Sequence, residues 1–156
     1  MVHSAKNFLE AGMNVIWQTG GSADISEIRN EFASVRNICV TDFISEMPIA
    51  YAAADLIVSR AGASTLAELA TLGKPAVLVP YPLAVKNHQE INAQAYESSG
   101  AAKVIHDSEL ASYFEPTVLG LMADDRKREE MSEKMRTREN ITARNVVAEW
   151  LIRHCI

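Results

Sequence analysis

The chain has 156 residues, enough for one domain with a full hydrophobic core. Apolar residues make up 48% and charged residues 22%, the balance of a folded globular protein rather than a disordered one. A formal net charge of -5 argues against general affinity for nucleic acid, and no apolar run reaches the roughly 18 residues of a membrane span. The first residues lack the architecture of a secretory signal. Cys39 and Cys155 lie far apart, form no metal-type pair and read as free thiols.

Helical spacing of Ala5, Phe8 and Leu9 predicts a helix over residues 2–10, ended by Gly12. A short apolar strand follows at 14–18, then a Gly20-Gly21 turn. A helix is expected over 23–33, capped by Ser22, with Ile25, Ile28 and Phe32 as its buried stripe. The alternation continues with a strand at 37–40, a helix at 47–54, a strand at 55–59 and a helix at 65–72 ended by Gly73. A strand at 75–79, a helix at 87–99 ended by Gly100 and a strand at 101–105 complete it. Helices fill the rest, with breaks expected near Glu115-Pro116 and Asp124-Asp125. The dense charges from Asp124 to Arg138 read mainly as a solvated helix face, with a phosphate- or lipid-binding patch as the lesser reading.

Short apolar strands alternating with helices imply parallel pairing through right-handed crossovers. Continuous runs such as Leu56-Ile57-Val58 and Val77-Leu78-Val79 suit strands buried on both faces. The expected fold class is α/β, a Rossmann-like doubly wound parallel sheet with a helical C-terminal tail. Ligands of such sheets bind beyond the carboxyl ends of the strands. The chain opens on a helix with no strand before it, which predicts a further strand upstream.

Three segments at those ends carry candidate chemistry. In Ser59-Arg60-Ala61-Gly62-Ala63-Ser64-Thr65-Leu66-Ala67-Glu68 a strand ends, small residues turn the chain and a helix begins. Open helix amides and the helix dipole suit a phosphate there, and Glu68 suits ribose hydroxyls. Thr65-x-x-Glu68 equally fits a capping box, in which each residue satisfies the other's backbone amide. In Pro80-Tyr81-Pro82-Leu83-Ala84-Val85-Lys86-Asn87-His88-Gln89-Glu90, His88 and Gln89 suit sugar hydroxyls and Lys86 suits a phosphate. The alternative is a polar first helical turn capped by Asn87. In Thr41-Asp42-Phe43-Ile44 the backbone can read a base edge, with Phe43 in the core as the alternative. His3, His106 and His154 read as isolated, and no nucleophile with an orienting base can be assigned.

These motifs, with Ala52-Ala53-Ala54-Asp55, Gly73-Lys74-Pro75, His88-Gln89-x-x-Asn92-Ala93 and Gly100-Ala101-Ala102, follow in an order that resembles the C-terminal domain of the bacterial MurG family. Members transfer N-acetylglucosamine to undecaprenyl-pyrophosphoryl-muramoyl-pentapeptide. The resemblance runs from about Asn14 to Ile105, and more loosely through the tail. It implies one half of a GT-B glycosyltransferase, with residues 1–156 as a single UDP-sugar-binding domain and the acceptor domain outside this chain. It implies that Ile44 meets uracil through its backbone and that Ala63, Ser64 and Thr65 line the diphosphate and ribose. Glu68 would hold the ribose hydroxyls, and His88 and Gln89 would contact N-acetylglucosamine. Ser64 replaces the larger apolar residue usual there, and Arg60 is expected to structure its loop. The family's Gly-Gly-Ser loop has no counterpart.

The resemblance implies neither metal nor other cofactor and no catalytic residue in this chain, the base lying in the other domain. The implied partners are UDP-N-acetylglucosamine, the chain's own acceptor domain and, through it, the lipid-linked acceptor and the membrane surface, with no nucleic acid. The implied location is cytoplasmic, the whole protein sitting at the inner face of the membrane. A donor-binding subunit of a split transferase, a non-catalytic nucleotide-sugar module and a sugar-nucleotide epimerase use similar residues and stay open.

Overall fold

The computed structural model describes residues 1–21, 25–84 and 87–139. It divides into two compact units, residues 1–53 and 54–156. Unit 1 holds helices α1 (Val2–Glu10), α2 (Ser26–Glu31) and α3 (Met47–Ala53) with strands β1 (Val15–Gln18) and β2 (Ile38–Thr41). Unit 2 holds β3 (Ile57–Ser59), α4 (Ala63–Leu72), β4 (Ala76–Leu78), α5 (His88–Ser98), β5 (Ala102–Val104), α6 (Leu110–Met122) and α7 (Asp125–Glu139).

Every strand pairing is parallel, as the alternation of strands and helices requires, and the strands form two sets. β1 pairs with β2 in the register Val15 to Ile38. In unit 2 the order is β3-β4-β5, with Ile57 beside Ala76 and Ala76 beside Ala102. The central strand β4 is buried along its whole length, which explains its unbroken apolar run. β3 departs from that expectation. It is an edge strand, and Val58 is 40% exposed.

In unit 1, Ala5 and Phe8 bury the inner face of α1, and Gly12 turns the chain at φ +82°. Residues 22–24, including the expected cap Ser22, lie outside the described residues. Ile25 and Phe32 are buried as the stripe predicts, while Ile28 is only half-buried. Cys39 is an exposed free thiol, and Cys155 lies outside the described residues.

The core of unit 2 gathers Leu66, Leu69 and Ala70 of α4, the β4 residues, Ala93 of α5 and Phe114 and Val118 of α6. Two expectations about its C-terminal helices change. Glu115-Pro116 does not break the chain, and α6 runs through Pro116. The neighbouring Phe114 and Val118 are buried, and that burial holds the turn despite the missing amide. Pro116 itself is exposed, so a Pro116→Ala change is expected to restore a helical hydrogen bond without disturbing packing. It should stabilise unit 2 by about 1–3 kcal/mol, read as a higher Tm in thermal unfolding.

The charged tail is likewise more than a solvated face. Met131 and Met135, one helical turn apart, are almost fully buried, and α7 packs on α4 and α6. Asp124 accepts the Lys127 amide at 2.9 Å and so caps α7, as the expected break there requires. The cations of α7 meet the carboxyl ends of three other helices. Arg128 donates to the Leu121 and Met122 carbonyls at the end of α6, and Arg136 lies over Gly73 at the end of α4. Lys134 lies over Gly100, just past the end of α5. Positive charge at a helix C-terminus is favourable because the helix dipole leaves its carbonyls negative. Ser132 adds a hydroxyl bond to the Gly73 carbonyl at 2.6 Å.

Candidate functional site

The candidate residues fall in both units. Ile44 belongs to unit 1, in the loop after β2. Ala63, Ser64, Thr65, Glu68, His88 and Gln89 belong to unit 2.

The loop around Ile44 is built by its own side chains. Thr41 donates its hydroxyl to the Phe43 carbonyl at 2.8 Å, and Asp42 accepts the Phe43 amide at 3.1 Å. Arg29 of α2 bonds both the Val40 carbonyl and Asp42, which fixes the loop to the strand end. These bonds occupy the backbone of Phe43 and leave the amide and carbonyl of Ile44 without a partner among the described residues. Phe43 is not a core residue, because it is 71% exposed.

In unit 2 the decisive feature is where α4 begins. The capping-box expectation starts the helix at Thr65. The helix in fact begins at Ala63, with Gly62 as N-cap in an extended conformation and no side-chain cap bond. Thr65 is therefore an interior residue of the first turn, and Glu68 has no N-cap amide to reach. Neither side chain makes a hydrogen bond among the described residues. The first-turn amides at 63–65 have no intrahelical partner either, as at any helix start. Glu68 is exposed, Thr65 half-buried, and Ala63 and Ser64 exposed. What remains is an uncapped ten-residue helix whose positive end lies beyond β3, with a carboxylate one turn further on.

The other half of the site stands beyond β4. Asn87 takes the N-cap position of α5 in a left-handed conformation, φ +55°, but makes no cap bond with its side chain. Lys86 lies outside the described residues. The first turns of α5 are tied to the neighbouring loops. Asn92 donates to the Ala61 carbonyl at 3.3 Å, and Gln89 accepts the Tyr81 amide at 3.0 Å. His88 is exposed on the first turn. Ser59 ends β3 with a hydroxyl that is buried and has no partner among the described residues. Such an orphan costs about 1–3 kcal/mol, which makes the end of β3 a place where an added partner is favoured.

Arg60 does structure its loop. One guanidinium nitrogen donates to the Val79 and Pro80 carbonyls and to Asp107, and the group lies 5.4 Å from the centre of the Tyr81 ring. Asp107 escapes sequence reasoning, since 47 residues separate it from Arg60. His106 is not isolated, because it faces Glu90 of α5 at 3.4 Å. Tyr81, Asn87, Glu90, His106 and Asp107 border a cavity of about 510 Å³.

The sequence model of the glycosyltransferase family 28 C-terminal domain matches residues 1–146. The chain belongs to this family. Among family 28 relatives, an enzyme of Chlorobaculum tepidum is 43% identical over 147 residues, 92% of this chain and 40% of that protein. One of Chlorobium luteolum is 52% identical over 102 residues, 65% of this chain and 28% of that protein. Both are named UDP-N-acetylglucosamine–N-acetylmuramyl-(pentapeptide) pyrophosphoryl-undecaprenol N-acetylglucosamine transferase. The crystal structure of Acinetobacter baumannii MurG is 33% identical with a TM-score of 0.75, covering 90% of this chain and 43% of that one. A kitacinnamycin glycotransferase, 17% identical with a TM-score of 0.61, shares the fold over 88% of this chain and 35% of its own. This chain thus has the Rossmann-like arrangement of parallel strands and flanking helices. It spans 28% to 40% of the length of the curated relatives it matches.

Proposed function

We propose that this chain is the donor-binding part of an N-acetylglucosaminyltransferase that uses UDP-N-acetylglucosamine and a lipid-linked muramoyl-pentapeptide. The observation that carries this reading is the open N-terminus of α4, with Thr65 and Glu68 uncommitted, in a chain of family 28. The first-turn amides at residues 63–65 receive the diphosphate. Glu68 accepts from the ribose hydroxyls, the unpartnered backbone of Ile44 reads the uracil edge, and His88 and Gln89 face the sugar.

In the reaction, a hydroxyl of the acceptor sugar attacks the anomeric carbon. The bond to the diphosphate oxygen breaks, and UDP leaves with the bonding pair. The positive end of α4 stabilises the charge gathering on the diphosphate. Neither a metal ion nor another cofactor takes part in this reading. The base that receives the hydroxyl proton, the acceptor site and the contact with the membrane belong to the rest of a GT-B enzyme at the cytoplasmic face. Among the described residues no helix is long and apolar enough to cross a membrane.

The test is a titration of the chain with UDP-N-acetylglucosamine, UDP and UDP-glucose, followed by NMR. Saturable shifts at Thr65, Glu68 and Gln89, with tighter binding of the N-acetyl sugar than of glucose, are expected. A folded chain that responds to none of the three would sink the reading.

A further inference from the structure

The contacts around Arg60 join the carboxyl ends of the three described strands of unit 2. Arg60 follows β3, its acceptors Val79 and Pro80 follow β4, and Asp107 follows β5. Its guanidinium also lies over the ring of Tyr81, the residue whose amide donates to Gln89. A continuous chain of contacts therefore runs from Asp107 through Arg60 and Tyr81 to Gln89.

The end of that chain has a defined polarity. A backbone amide can only donate, so the Gln89 atom facing Tyr81 must be its carbonyl oxygen. The opposite side of the amide is then the NH2 group. Held this way, Gln89 presents its two N–H donors on the side away from Tyr81 and favours an acceptor oxygen there. Released, it can flip and offer either.

We propose that Asp107 is a positioning residue for the donor sugar, fixing through Arg60 the Pro80-Tyr81 turn that holds Gln89 with its NH2 group toward an acceptor oxygen of the ligand. This rests on the reading of Gln89 as a sugar contact. Arg60 suits the task because its flat guanidinium can bond in its plane and stack on a ring at once, which a lysine cannot. The Arg60–Asp107 pair is partly exposed, with side chains 47% and 38% accessible, and such pairs contribute little to stability. Its value is geometric. The turn at 107–109 does not need the Asp107 carboxylate, because His106 and Glu109 bond each other's backbone across it.

The experiment compares Asp107→Asn, Asp107→Glu and Gln89→Ala with the unaltered chain. Amide hydrogen exchange at Tyr81 is read without ligand, and affinity for UDP-N-acetylglucosamine against UDP is read by titration. Asp107→Asn should speed Tyr81 exchange on the order of tenfold and reduce the preference for the sugar nucleotide, leaving UDP affinity unchanged. Asp107→Glu should restore part of both. Unchanged Tyr81 exchange in Asp107→Asn overturns the proposal and leaves the donor reading standing. Faster exchange with a sugar preference that Gln89→Ala does not alter removes Gln89 from the sugar site, and the proposal falls with that contact. Loss of UDP affinity in step with sugar affinity, or loss of fold in Asp107→Asn, assigns Asp107 a general structural role and equally overturns it.

Discussion

Replacing Glu68 with alanine is expected to weaken binding of UDP-N-acetylglucosamine by roughly 10–100-fold, since a hydrogen bond to a charged group contributes about 1.5–3 kcal/mol. UDP should lose the same factor, because the ribose is common to both ligands. Stability should change by less than about 0.5 kcal/mol, as for a surface position away from any special contact. That split separates the two readings of Thr65-x-x-Glu68. A capping glutamate would lower Tm and leave affinity alone. The structure places the helix start at Ala63 and leaves the Glu68 side chain exposed and unbonded, so the effect should fall on the ligand. Calorimetric titration and thermal unfolding of the same sample decide it.

The largest stability effect is expected at Leu69. Its side chain is fully buried on α4, the helix that α7 packs against. Leu69→Ala removes three carbon atoms from a close-packed interior and leaves a cavity that its neighbours fill only in part. The expected cost is about 2–5 kcal/mol, which lowers the Tm of unit 2 by roughly 8–20 °C. Donor affinity, measured well below the transition, should hold, because Leu69 faces the core while the proposed diphosphate contact lies at the first turn of α4. A fall in affinity without a fall in Tm would contradict that division of labour along one helix.

Much of this was legible in the sequence where a signal is local and strong. The helix Val2–Glu10 follows from three apolar positions and a glycine. The glycines at 73 and 100 take the left-handed conformation that ends a helix, as their placement predicted. The buried strand Ala76–Leu78 was plain from its unbroken apolar run. The start of α4 was misread by two residues because Thr65 is the better cap by type. Gly62 takes that position instead, and Ala63 and Ser64 enter the helix. Proline is a helix breaker by local rule, yet around Pro116 the burial of Phe114 and Val118 prevailed. In the tail, Met131 and Met135 were a four-residue apolar repeat hidden in a run of charges.

The candidate site was legible as segments and not as a geometry. Sequence placed Thr65, Glu68 and Gln89 at the carboxyl ends of strands. It had no means of pairing Gln89 with the Tyr81 amide, or Arg60 with Asp107, because those contacts depend on how neighbouring loops leave adjacent strands.

The packing of α7 bears on how unit 2 comes together. α7 is the last described element in chain order, yet it supplies Met131 and Met135 to the core and cations to the ends of α4, α5 and α6. The bond from Ser132 to Gly73 spans 59 residues. A polypeptide emerging from the ribosome would therefore carry three helices with open carbonyl ends and an unfilled interior until residue 135 is free. Contacts of such long sequence separation close slowly, because the loop entropy is lost before they form. Completion of unit 2 thus waits for α7, as one late event governed by that helix.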